Sequence, residues 1–177
     1  MTMTDIARAA ADDLRPILEA FRDASWPLSK SGLAAIAERL GWQLRSDRDR
    51  GVTYLTGLPY PRARADSLVR DGEVVQVTIG LTDRVDGDDR ALRVPMRAIE
   101  QDCAGIAAEV LGEPGAPAPG QRRTYWDLPS SGRLAVENIE DRIILDVLAP
   151  QLADIERAEA RLGVDPGRVV GEDPEPA

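Results

Sequence analysis

The stretch Glu73-Val-Val-Gln-Val-Thr-Ile-Gly-Leu-Thr82 decides the fold of this chain. Apolar side chains alternate with small or polar ones, with Val75, Val77, Ile79 and Leu81 on one side and Gln76, Thr78, Gly80 and Thr82 on the other. Such alternation is typical of a β-strand with one buried face. Parallel sheets are covered on both faces, so the pattern predicts an antiparallel sheet with its apolar face against helices.

Similar patterns on both sides of this stretch predict five more strands. They cover residues 42–46, 52–58, 122–128, 133–138 and 142–148. Turn-forming residues such as Gly51 and the Pro-Ser-Ser-Gly of residues 129–132 separate them. The segment between residues 58 and 73, with its Pro and Arg residues, is expected to be a loop.

Apolar residues at helical spacing predict four helices. They cover residues 4–25, a segment capped by Ser29 or Ser31 and stopped by Gly41, a segment from about Pro95 to Leu111, and residues 150–162. The predicted fold is therefore α+β, an antiparallel sheet packed against helices in the order ααβββ-αβββ-α. We expect one domain over residues 1–163, with two αβββ halves at 27–94 and 95–148, and a disordered acidic tail over 164–177.

The composition excludes most familiar active sites. The 177 residues include no histidine, one cysteine (Cys103) and one lysine (Lys30). Histidine-dependent triads and Cys/His zinc sites are therefore absent, and so are P-loop and dinucleotide-binding glycine motifs. We predict that the protein is not an enzyme and has neither catalytic residues nor a cofactor. Cys103 lies on the apolar stripe of its helix, which favours a buried, inert thiol.

No signal peptide and no run of apolar residues long enough to span a membrane can be found in the chain. A single cysteine also cannot form an intrachain disulfide. We therefore expect a cytoplasmic protein that does not bind membranes.

The net charge of -9 is concentrated in the second half of the chain. Residues 101–177 contain fifteen acidic and seven basic residues, whereas the two preceding segments of fifty residues are close to neutral. Negative charge repels nucleic-acid phosphate and attracts basic proteins. We expect no nucleic-acid binding, and either a solvated acidic surface or a basic protein partner.

The acids predicted to contact such a partner are Asp127, Glu137, Glu140, Asp141 and Asp146. Asp146 is unusual because it shares a strand face with Ile144 and Leu148. Either this strand is covered on both faces with the aspartate paired, or it presents an apolar docking patch that contains an acid.

A second acidic cluster surrounds Gly87. Asp83, Asp86, Asp88 and Asp89 supply oxygen ligands of the kind that Mg²⁺ and Ca²⁺ prefer, although the spacing is not that of an EF-hand. A solvated turn explains the same residues, because Asp and Gly are common turn residues. The cluster is the weak candidate for a metal site.

Short motifs carry a family resemblance. Trp26-Pro-Leu-Ser, Leu40-Gly-Trp42, residues 74–81, Leu111-Gly-Glu-Pro114 and Tyr125-Trp-Asp-Leu128 resemble a family of uncharacterised small actinobacterial proteins. The resemblance covers roughly residues 20–150. It implies a role as an immunity or chaperone-like protein associated with secreted polymorphic toxins.

Three functional hypotheses follow. The first is an immunity protein that neutralises a toxin domain through an acidic surface. The second is a dedicated secretion chaperone, most naturally a homodimer, whereas an immunity protein can act as a monomer. The third, of another class, is a divalent-metal-dependent enzyme that uses the loop of residues 83–89.

Overall fold

The computed structural model of the chain describes residues 6–116 and 123–163. It contains the helices α1 (Ala11–Arg22), α2 (Lys30–Arg39), α3 (Arg93–Leu111) and α4 (Pro150–Leu162), and the strands β1 (Leu28–Ser29), β2 (Gln43–Arg48), β3 (Gly51–Leu55), β4 (Arg64–Arg70), β5 (Glu73–Gly80), β6 (Arg123–Asp127), β7 (Arg133–Asn138) and β8 (Ile143–Leu148). The predicted α+β class is confirmed. None of the helices described has the length and apolar character needed to cross a bilayer. The predicted tail at 164–177 lies outside the described residues.

All strands belong to one antiparallel sheet, in the order β2-β3-β4-β5-β8-β7-β6. Strand β5, which contains the alternating apolar residues Val77 and Ile79, lies near the centre of the sheet. It pairs with β8, for example Val77 with Val147. The short strand β1 pairs with the start of β5, where Leu28 lies opposite Val74. The β5–β8 pairing thus joins the strands of the two predicted halves into a single sheet.

The core lies on one face of this sheet, called here the inner face. Val77 and Ile79 of β5 and Leu145 and Val147 of β8 are buried there, as β-alternation predicts. Helix α3 packs on this face against β7 and β8, with Ile99, Cys103 and Ala107 buried. Helix α2 packs against β5, and α1 packs on α3. Each fully buried Leu, Ile or Val side chain stabilises the fold by about 1.5–3 kcal/mol.

Local signals set several helix ends. Ser29 is the N-cap of α2, and its Oγ accepts a hydrogen bond from the Gly32 N–H at 3.1 Å. Pro150 begins α4 and Gly163 ends it in the left-handed conformation. Both α4 bounds agree with the prediction.

Helix α1 begins later than predicted, at Ala11 rather than at residue 4. The preceding segment runs alongside the end of β5 instead: the Ala9 N–H donates to the Leu81 carbonyl at 2.8 Å and the Asp83 N–H to the Ala7 carbonyl at 2.9 Å. Backbone pairing with the sheet therefore replaces the first helical turns.

Strand β4 was wrongly predicted to be loop. Arg64, Ala65, Asp66 and Ser67 have little intrinsic preference for strands. The segment nevertheless pairs with β3 on one side and with β5 on the other, with an irregular register between Leu68 and Val69. Tertiary pairing outweighs local propensity here, and the first half consequently has more strands than the second.

Candidate functional site

Two acidic loops lie side by side at one end of the sheet. One spans residues 83–89 after β5, and the other, residues 139–142, joins β7 to β8. The Val85 N–H donates to the Asp141 carbonyl at 2.8 Å, and the Arg84 guanidinium forms an ion pair with the Asp141 carboxylate at 3.1 Å. The structure thus places the predicted metal cluster beside two of the predicted partner-binding residues.

These loops border a groove of about 910 Å³ that runs along the N-terminal half of α3. Its apolar lining includes Leu92 and Met96, both buried in the core. The charged residues that line it are Asp86, Asp88, Asp89, Glu100, Glu140, Arg93, Arg97 and Arg123. Five carboxylates thus oppose three arginines, and we call this feature the acidic groove.

The loop carboxylates of the groove are exposed and uncompensated. Asp86, Asp88, Asp89 and Glu140 form no ion pair within 4.0 Å with any residue in the described ranges. The Asp86 and Asp89 side chains accept backbone N–H groups of Asp88 and Ala91, which orders the loop as an Asx-type turn and a helix cap. Their charge is therefore available to a partner.

Glu100 differs from the loop acids because it is half-buried on α3. Burial raises the pKa of its carboxyl group. The nearby Arg97 guanidinium acts against this rise, and the Glu137 carboxylate adds to it. A cationic group entering the groove would compensate this buried charge.

The four aspartates of the metal hypothesis do not converge on one point. Asp83 accepts the N–H of the next residue, Arg84, at 2.8 Å, and Asp89 caps the 3₁₀ turn before α3. Within residues 6–116 and 123–163, no three Asp, Glu, Cys or His side chains are arranged to hold a metal ion. Asp83, Asp86 and Asp89 therefore have turn and cap roles.

The other three predicted contact residues lie elsewhere, on the sheet face opposite the core. This outer face carries alternate residues of β5 to β8, including Gln76, Thr78, Asp127, Arg133, Glu137 and Asp146. Asp127 pairs with Arg133 at 3.0 Å and Arg157 at 2.9 Å. Burial alone would raise the pKa of Asp127, but hydrogen bonds from both arginines lower it.

Asp146 is buried at the centre of the outer face, with 5% of its surface exposed. Its carboxylate accepts hydrogen bonds from Gln76 Nε2 at 2.8 Å and from Thr78 Oγ1 at 2.7 Å. Burial raises the pKa of this carboxyl group, and the two hydrogen bonds oppose that shift. The sequence allowed either a strand covered on both faces or an apolar docking patch that contains an acid. The structure shows the covered strand, and its aspartate is hydrogen-bonded.

The arginines of the outer face were not among the predicted contact residues. Arg133, whose side chain is 4% exposed, stacks over the Tyr125 ring at 4.0 Å and contacts Asp127 and Glu156. A signal was present, because the meander register places Arg123 opposite Glu137 and Asp127 opposite Arg133. Opposite charges at facing positions indicate cross-strand pairs.

Cys103 is buried in the core, as predicted. Burial raises the pKa of its thiol to about 11, so the thiolate form is scarce near neutral pH. The cysteine therefore has a packing role in α3.

Comparisons with known proteins identify a family without assigning an activity. The model of the family of unknown function DUF6301 matches residues 12–149, and the chain belongs to this family. No curated protein and no solved structure matches the chain.

Proposed function

We propose that this DUF6301 protein is a non-enzymatic protein-binding module that receives a basic segment of a partner in the acidic groove. The observation that supports this proposal is the set of four exposed loop carboxylates at one groove, none of which forms an ion pair with another residue that the structure describes. The most concrete version is an immunity protein that neutralises a secreted toxin domain.

The charge pattern favours a basic partner that also carries acceptor groups. Lysine or arginine side chains of the partner would face Asp86, Asp88 and Glu140 on the side of the groove that the loops form. Arg93 and Arg97 on α3 would meet carboxylate or carbonyl oxygens of the same segment. Complementary charges speed the diffusional encounter of the two proteins.

The proposal is tested by capture followed by kinetics. The tagged full chain is incubated with native lysate and with the purified products of neighbouring genes, and a stoichiometric partner is identified. Association rates are then measured for the wild type and for the triple variant Asp86→Asn, Asp88→Asn, Glu140→Gln. The matched control is Glu38→Gln, Asp49→Asn, Asp71→Asn, which removes the same charge from exposed sites away from the groove.

We expect the groove variant to associate about tenfold more slowly at low salt, because steering depends on charge near the contact surface. The control should lose much less, and raising the salt concentration should remove the difference between the two variants. Equal rates for both variants, or an acidic partner, would contradict the proposal.

A further inference from the structure

Helix α4 lies on the outer face of the sheet, and ion pairs link it to the strands. The Glu156 carboxylate accepts hydrogen bonds from Arg123 and from Arg133, the latter at 3.1 Å. All three side chains are largely removed from water, with 17%, 15% and 4% exposure respectively. Arg157 adds a second anchor by donating to Asp127 and to the Ser131 carbonyl.

The apolar contribution of α4 to its own docking is small. Ala153 is its one fully buried residue, whereas Ile155 is 54% and Leu162 is 78% exposed. A helix on a globular protein normally buries a continuous apolar stripe. Here a carboxylate placed between two guanidinium groups supplies the main specific contact.

The surface that receives Glu156 is organised by the sheet itself. Arg123 and Arg133 come from the neighbouring strands β6 and β7, and Arg133 is oriented by Asp127 and by the Tyr125 ring. Ile144, Leu148 and Ala135 supply apolar area on the same face. The family match ends at residue 149, so this surface lies within the matched residues and α4 lies outside them.

From these contacts we infer that the outer face of β6–β8 is a second interaction surface, which recognises a glutamate on a helix, and that α4 occupies it within the same chain. The partner is a protein that presents such a helix with an adjacent glutamate and arginine, as α4 does, and it displaces α4. Buried arginines suit this task because a guanidinium binds a carboxylate through paired, charge-assisted hydrogen bonds. This surface recognises the opposite charge to the acidic groove, with which it shares Arg123 at its border.

The test uses the full chain and a labelled peptide of residues 150–162, acetylated and amidated, as the probe. Glu156→Ala removes the intramolecular carboxylate, and Glu159→Ala is the matched control, since Glu159 is exposed on the same helix. We expect the Glu156→Ala chain to bind the peptide about tenfold more tightly than the control, because its two arginines have lost their occupant. The concentration range should extend to the order of millimolar, since short isolated helices are marginal in water.

A second peptide with Gln in place of Glu156 identifies the group that is recognised. Its binding to the Glu156→Ala chain should be weaker by about tenfold or more if the carboxylate is the recognised group. Equal binding of the two peptides, or equal binding of one peptide to both chains, would overturn the inference.

Hydrogen exchange keeps the inference testable if Glu156→Ala does not fold. In the wild type, the α4 amides should exchange by local opening, at least about a hundredfold faster than those of β8. Exchange of α4 and β8 at the same rate would show that the helix opens only with global unfolding, and the inference would then fail.

Discussion

The pKa values and ion pairs of individual charged residues in this protein depend on their immediate surroundings rather than on the net charge of the chain. Asp127 and Asp146 are both acids of the outer face, yet arginines lower the pKa of the first and burial raises that of the second. Asp86 and Glu140 stay exposed and unpaired among the described residues. The same residue type therefore acts as a pairing group, a buried acceptor or an available surface charge.

The raised pKa of Asp146 predicts a pH dependence of stability. A carboxyl group whose pKa is raised in the folded state binds its proton more tightly there, so its contribution is full below the unfolded pKa and is lost as pH rises through the folded pKa. Asp146→Asn removes this titration. We expect the free energy of unfolding of the variant to fall less than that of the wild type between about pH 4, the ordinary range of an aspartate, and about pH 7.

Urea unfolding at both pH values measures this difference, and Asp127→Asn tests the opposite sign. The folded pKa of Asp127 is lowered, so its contribution is present above the unfolded pKa and is lost as pH falls through the folded pKa. The assignment for Asp146 would be wrong if its variant kept the wild-type slope between about pH 4 and pH 7.

At the scale of elements, close backbone approaches hold the turns and helices in place. The turn between β6 and β7 brings Gly132 against the end of β8: a Cβ at this residue would lie 2.9 Å from the Leu148 carbonyl oxygen and 3.1 Å from Trp26 Nε1. Gly105, in the middle of α3, has open space around the same position. The two glycines therefore have different structural roles.

Substitution of these glycines should change stability in opposite directions. Gly132→Ala should lower the free energy of unfolding by about 1–3 kcal/mol, because backbone atoms must move to admit the methyl group. Gly105→Ala should raise it by about 0.5–1 kcal/mol, because alanine is the better helix former. Chemical denaturation of both variants under identical conditions measures the effects, and a stabilising Gly132→Ala would show that the turn is looser than described.

At the scale of the whole molecule, the β5–β8 pairing unites the strands of the two halves of the chain into one sheet. Trp42 packs near Phe21 and Tyr54 on the β2 side, whereas Trp126 donates to the Gly112 carbonyl on the β6 side. These two indoles report on opposite ends of the sheet.

Unfolding should therefore be a single cooperative transition. Two variants test this: one retains only Trp42 and the other only Trp126, with the remaining tryptophans replaced by Phe. In each variant, the unfolding midpoints measured by fluorescence and by far-UV circular dichroism should coincide. Separate midpoints within either variant would indicate that the two halves unfold independently.

Much of the fold could be predicted from periodicity alone. Alternation identified β5 and the meander of β6–β8, and helical spacing together with Ser29, Pro150 and Gly163 located α2 and α4. Strand β4 could not be found in this way, since Arg64 to Ser67 become a strand through pairing with neighbours distant in sequence. The acidic residues of the candidate site could be predicted from the sequence, but which of them lie together in the structure could not.

By itself, the sequence determined the α+β class, the apolar inner face and the exclusion of histidine-dependent and Cys/His chemistry, because these depend on residue type and short-range spacing. The tertiary structure alone decided which acids are free and which are paired. It placed Glu140 beside Asp86, buried Asp146 against Gln76 and Thr78, and inserted Glu156 between Arg123 and Arg133. Burial and ion pairing depend on distances between residues far apart in the chain, and the pairing of β5 with β8 sets those distances.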